Sequence, residues 1–173
     1  MTDSEFGAIF DEHKNAVYQF AWRMTNSAPV AEDIAQEVFL ALLGGSIQLD
    51  HARGSLRAVL IGTARHMARQ RWRTDQRWAA LEDEIPLPPA HPLEHLGIEQ
   101  AVATAIAALP PLQRESIILA TYEGFSLQEI ASTVAVEIGT VKARLHRARE
   151  NLKRLLAPLK PQEIRSKKYG TSQ

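Results

Sequence analysis

Apolar side chains recur at helical spacing along most of this chain. Phe6, Ile9, Phe10, Val17, Phe20, Ala21 and Met24 mark one side of a helix predicted over about 5–25. Asn26-Ser-Ala-Pro29 interrupts it. Ser27 or Ala28 suits a cap, Pro29 suits a first turn, and Glu32 and Asp33 favour the positive end of a helix dipole. The second helix then runs to about Leu43 and stops at Gly44-Gly45. A loop over 46–54 leads to a long third helix from Ser55 to about Ala80. No segment alternates with period two for long, and no Asn-Gly or Asp-Gly hairpin turn occurs.

The pattern breaks at Ile85-Pro-Leu-Pro-Pro-Ala-His-Pro-Leu93. Its prolines forbid a continuous helix and favour an extended path. Glu82, Asp83, Glu84 and Glu94 make the stretch acidic. Helical spacing returns at about 97–108 and again at about 111–123, entered through Leu109-Pro-Pro111. Gly124 suits a positive-φ stop, and Ser126 with Glu129 forms a capping-box pattern for the next helix. The chain therefore reads as all-α. A helical domain over 1–80, a linker over 81–96, a helix-turn-helix domain over 97–158 and a flexible tail over 159–173 are expected.

The last long helix, from Gly139 to about Leu156, separates two faces. Val141, Leu145, Ala148, Leu152 and Leu155 form an apolar stripe, while Lys142, Ala143, His146, Arg147, Arg149 and Lys153 point away from it. Face pattern alone fits an ordinary solvated amphipathic helix. The capped short helix before it and the Ala135-Val136-Glu137 turn shift the reading to a basic recognition helix for a DNA major groove. Lys142, His146 and Arg147 are the candidates for base edges. Arg144, nearer the stripe, suits a phosphate or a local carboxylate. Thr140 and the first free amides suit a phosphate.

Charge sharpens this picture. Formal net charge is zero, but residues 1–50 hold eight acids against Lys14 and Arg23. Arg65, Arg69, Arg71, Arg73 and Arg77 face Asp75 alone in their block, and a second basic block covers 142–154. An acidic end and two basic blocks suggest two kinds of partner. The absence of cysteine excludes disulfides and thiolate zinc sites. The acidic start lacks the basic and apolar regions of a signal peptide, and no run is long and apolar enough for a membrane span. A cytoplasmic protein without membrane insertion is expected.

Ser126-Leu-Gln-Glu-Ile-Ala131 and Gly139-Thr-Val-Lys-Ala-Arg-Leu-His-Arg-Ala-Arg-Glu150 closely resemble region four of extracytoplasmic-function (ECF) sigma factors, small members of the sigma-70 family. Leu109-Pro-Pro-Leu-Gln-Arg-Glu115 resembles the helix start just before it. Phe6 to Met24, then Ala31-Glu-Asp-Ile-Ala-Gln-Glu-Val-Phe-Leu40, resembles region two. The resemblance spans about 5–157 in the family's order.

It implies that Thr140, Lys142, Ala143, Arg144, His146, Arg147 and Arg149 meet a −35 promoter element. It implies docking of the second helix on the clamp helices of the polymerase β′ subunit, through Asp33, Gln36 and Glu37, with Ile34, Val38, Phe39 and Leu42 dividing between core and interface. A capped helix with a solvated acidic face fits the same residues. The third helix would capture melted −10 bases, with Arg65, Arg69, Arg71 and Arg73 on phosphates. Val59 stands where the family has a Trp, and His66 where it has an Asn. His66 can still hydrogen-bond a flipped base, with altered donor and acceptor geometry. Trp72 and Trp78 suit base stacking or, with more weight, core packing and linker contact. Loop 46–54 takes the place where the family captures an unstacked base.

The partners implied are core RNA polymerase, including the β flap for region four, promoter DNA, and an anti-sigma factor. No cofactor, metal or catalytic residue is expected. His91 and His95 lie in a proline context unsuited to helical metal ligation, and neither a phosphate loop nor a nucleophile elbow occurs. A conventional repressor would need a sensor or dimerisation domain. A sigma mimic would not need both basic helices.

Overall fold

The computed structural model describes residues 1–48, 54–73 and 96–159, the side chains of residues 72 and 73 excepted. The end of the third helix beyond 73, most of the linker, the centre of loop 46–54 and the tail lie outside the described residues, as does Trp78. The chain divides into two units, Met1–Glu82 and Asp83–Gln173. All regular structure among the described residues is helical.

The first unit packs α1 (Asp3–Thr25), α2 (Ala28–Leu43) and α3 (Leu56–Arg73) against one another. α1 starts two residues earlier than its apolar spacing suggests, because Thr2 and Glu5 form a capping box. Asn26 adopts φ 53 to end α1, and the Ser27 hydroxyl accepts the Val30 N–H to begin α2. α2 ends through Gly45 at φ 72, a left-handed geometry that glycine takes without steric cost. The Ser46 N–H then donates to the Ala41 carbonyl. Val17, Phe20, Ala21 and Met24 meet Ala31, Ile34, Val38, Leu42, Leu60, Ile61, Ala64 and Ala68 in the core.

The second unit contains α4 (Ile98–Ala108), α5 (Pro111–Ile117), α6 (Leu127–Val134) and α7 (Ile138–Leu156). α5 does not continue to 123 as an α-helix. Its last part is a π turn over Ile118–Tyr122, closed by the Glu123 N–H on the Ile118 carbonyl at 3.1 Å. The wider turn carries Ile118 and Leu119 into the core before Gly124, at φ 68, redirects the chain. α4, α5 and α6 all pack directly against α7.

Candidate nucleic-acid interface

The helix-turn-helix is built from local hydrogen bonds. The Ser126 hydroxyl accepts the Glu129 N–H at 3.1 Å, and the Glu129 carboxylate accepts the Ser126 N–H at 3.0 Å. α6 closes at Ala135, whose φ of 55 is left-handed, and the Val136 N–H returns to the Ala131 carbonyl. Glu137 opens α7 without a side-chain cap bond, so the first-turn amides are not covered by a cap.

On α7, Val141, Leu145, Ala148 and Leu155 are buried and Leu152 is half-buried. Thr140, Lys142, Ala143, His146, Arg147 and Arg149 are exposed, and Arg144 is half-buried. The seven expected −35 residues thus share one end of one helix, six of them open to solvent. From 142 to 149 they cover roughly 10 Å of helix axis, a length that fits within a major groove about 12 Å wide. Lys153, farther along, pairs with Glu150 at 3.1 Å.

A side-chain bond ties this helix to its support, and Arg114 braces the support itself. The Asn151 side chain donates to Gln113 Oε1 at 2.6 Å, tying α7 to α5. The Arg114 guanidinium donates to the carbonyls of Ala107 at 2.6 Å and Leu109 at 3.1 Å, closing the α4–α5 corner. Burial lowers its pKa to about 10, so it stays charged at neutral pH. The motif around Leu109 to Glu115 is therefore a structural corner as well as a resemblance.

In the first unit, α3 turns His66, Arg69 and Gln70 to solvent. Val59, seven residues before His66, is half-buried on the same side of the helix. Arg65 is 7% exposed. It stands four residues after Ile61 and three before Ala68, both fully buried, so helical spacing turns it toward the core rather than toward open solvent. Arg71 is held by Glu37 of α2, with Nη2 donating to Oε1 at 2.5 Å. The Arg73 and Trp72 side chains lie outside the described residues.

α2 presents Asp33, Gln36 and Glu37 to solvent. Ile34 and Phe39, expected among the contacts, are core residues at 0% and 4% exposure, as are Val38 and Leu42. Phe39 also packs edge-on against Phe10, ring centres 4.9 Å apart. They shape the helix face from beneath instead of forming it. The apolar part of the exposed face is Leu40 and Leu43, at 64% and 53% exposure. The signal was in the sequence: Leu40 follows Glu37 by three residues, and Leu43 follows Leu40 by three, which continues the Asp33–Glu37 stripe.

The first unit thus joins an acidic–apolar helix face to a basic helix, and the second carries a supported helix-turn-helix. These features define a helical protein of two units, one of them carrying a helix-turn-helix. The Sigma-70 region 2 family matches residues 9–78, and the Sigma-70 region 4 family matches residues 99–152. The chain is 31% identical over 156 residues to the ECF RNA polymerase sigma factor SigE of Mycolicibacterium smegmatis, covering 84% of this chain and 59% of that protein. It is 28% identical over 169 residues to the ECF RNA polymerase sigma factor SigW of Bacillus subtilis, covering 89% of this chain and 90% of SigW. A solved structure of the sigma factor RpoE with the anti-sigma factor NepR, from Bartonella quintana, superposes with a TM-score of 0.65 at 27% identity, covering 90% of this chain and 99% of RpoE. The chain belongs to the sigma-70 family, with the ECF sigma factors as its relatives, and is a transcription-initiation factor. Among the described residues no helix is long and apolar enough to cross a membrane.

Proposed function

We propose that this chain joins core RNA polymerase and directs initiation at its own set of promoters. α7 reads the −35 element as duplex, with Lys142, His146 and Arg147 toward base edges and Thr140, Arg144 and Arg149 toward phosphates. α3 engages the melted −10 strand, His66 toward a flipped base and Arg69 toward phosphate. The Asp33, Gln36, Glu37, Leu40 and Leu43 face of α2 docks on the β′ clamp helices, and the second unit also meets the β flap. The polymerase performs the chemistry. This chain selects the start site and stabilises the opened strands. It works in the cytoplasm and is held inactive by an anti-sigma factor, in the manner suggested by the RpoE–NepR pair.

The observation that carries this reading is the division of α7 into a buried stripe and a solvent face bearing Lys142, His146, Arg147 and Arg149. An ordinary amphipathic helix shares that division, and the capped α6 with its left-handed stop at Ala135 immediately before α7 favours a recognition helix. Run-off transcription with bacterial core polymerase tests it, beginning with the promoter upstream of the chain's own gene. Specific transcripts are expected. Arg147→Ala should reduce them by about fivefold to 150-fold, as loss of a base contact worth about 1–3 kcal/mol requires. Failure of the chain to bind core would sink the proposal.

A further inference from the structure

Glu37 and Arg71 belong to different surfaces in the reading above, yet each holds the other. Arg71 Nη2, on α3, donates to Glu37 Oε1, on α2, at 2.5 Å across 34 positions of sequence. The side chains are 30% and 51% exposed, with Arg71 Nη1 itself buried, so part of each side chain stays open to an incoming partner. A guanidinium N–H given to a carboxylate is not available to a phosphate. The carboxylate also repels any phosphate brought beside it. Two partners of opposite charge, a basic group of the polymerase and an acidic nucleic-acid backbone, would therefore compete with the same internal bond.

We infer that the Glu37–Arg71 pair is an internal lock, which withholds Arg71 from nucleic-acid phosphate until a cationic side chain of the polymerase takes Glu37. This rests on α2 being the polymerase face and α3 the face toward melted DNA. Glu37 is exposed and Arg71 only half-buried, so solvent still screens the pair and the lock is weak. It holds Arg71 back by about two- to fivefold in affinity, the scale of exposed ion pairs. A contact that must yield on assembly has to be weak. The lock couples two events in one direction: docking on polymerase improves phosphate binding, and by linkage phosphate binding at Arg71 improves docking.

The experiment measures binding of the full chain to a fluorescent single-stranded thymidine oligonucleotide of about 15 nucleotides at low and rising salt, where phosphate contacts set both affinity and salt slope. It is done with and without core polymerase. In the free chain, Glu37→Gln should tighten binding about two- to fivefold and steepen the salt slope by about 0.7, one more phosphate contact on a single strand. Arg71→Ala should remove that gain, so that the double variant binds like Arg71→Ala alone. With core present, Arg71→Ala should weaken binding more than it does in the free chain. Glu32→Gln, which removes a nearby exposed charge of α2 that forms no such pair with Arg71, controls for general repulsion and should give a smaller gain that Arg71→Ala leaves intact. Binding by Glu37→Gln no tighter than the starting chain, including none at all, would overturn the lock, as would a gain that survives Arg71→Ala. Absence of DNA binding even with core bound would instead overturn the reading of α3 on which the lock rests.

Discussion

Glu5 closes the start of α1 with a single carboxylate. Its Oε2 accepts the Thr2 N–H at 2.7 Å while the Thr2 hydroxyl accepts the Glu5 N–H at 3.2 Å. The backbone bond from Thr2, then the hydroxyl, hold its pKa below the usual 4.5. A depressed carboxylate stabilises the fold above its unfolded pKa, and that contribution is lost as pH falls through the folded value. A carboxyl-carbon NMR titration should therefore give Glu5 a midpoint below 4.5, and Thr2→Ala should move it upward. At this scale the sequence was a good guide where bonds are local. The Ser126–Glu129 box follows from residue order alone, and residue order narrows the α2 cap to Ser27 or Ala28. It was a poor guide where a neighbouring helix decides. Ile34 and Phe39 have the residue types of an interface, and Arg65 the type of a phosphate contact, yet the packing of α1, α2 and α3 buries all three.

The elements differ in how their ends are made. The turn between α6 and α7 depends on Ala135 at φ 55, where a side chain carries a steric cost of about 1–2 kcal/mol. Glycine removes that cost and adds an entropic one of about 0.5–1 kcal/mol. Ala135→Gly is therefore expected to stabilise the second unit by up to about 1 kcal/mol while leaving run-off transcription unchanged. The two units can be followed separately in one urea titration. All three tryptophans, Trp22, Trp72 and Trp78, lie in Met1–Glu82. Fluorescence then reports the first unit, and helical circular dichroism without a fluorescence change reports the second. A loss of stability in that second transition would show that Ala135 is not strained. The π turn at Ile118–Tyr122 was not legible beforehand. The run Ile117-Ile-Leu-Ala-Thr-Tyr122 satisfies an α-helix as well as a wider turn, and the choice falls to the need to bury Ile118 and Leu119 while reaching Gly124.

Charge over the whole molecule sums to zero, and the sum hides its use. The cations concentrate on α3 and α7, the helices read as facing DNA, and acids stand on the solvent face of α2. On that face Leu40 and Leu43 are an expense in isolation, because they leave apolar surface in water where Lys or Glu would be neutral to the fold. Burial against polymerase would recover it. A fully buried leucine contributes about 1.5–3 kcal/mol, so even half of that from each makes the pair worth at least about tenfold in core affinity. Leu40→Ser with Leu43→Ser should thus weaken binding to core polymerase by tenfold or more, measured by competition for a limiting amount of core. The tryptophan-reported stability of the first unit should stay within about 0.5 kcal/mol, since neither side chain is part of its core. The two readouts together separate an assembly surface from a structural one. Equal core affinity in the double variant would leave the acidic residues alone to carry α2 docking, and a large loss of stability would mean that the leucines serve the fold.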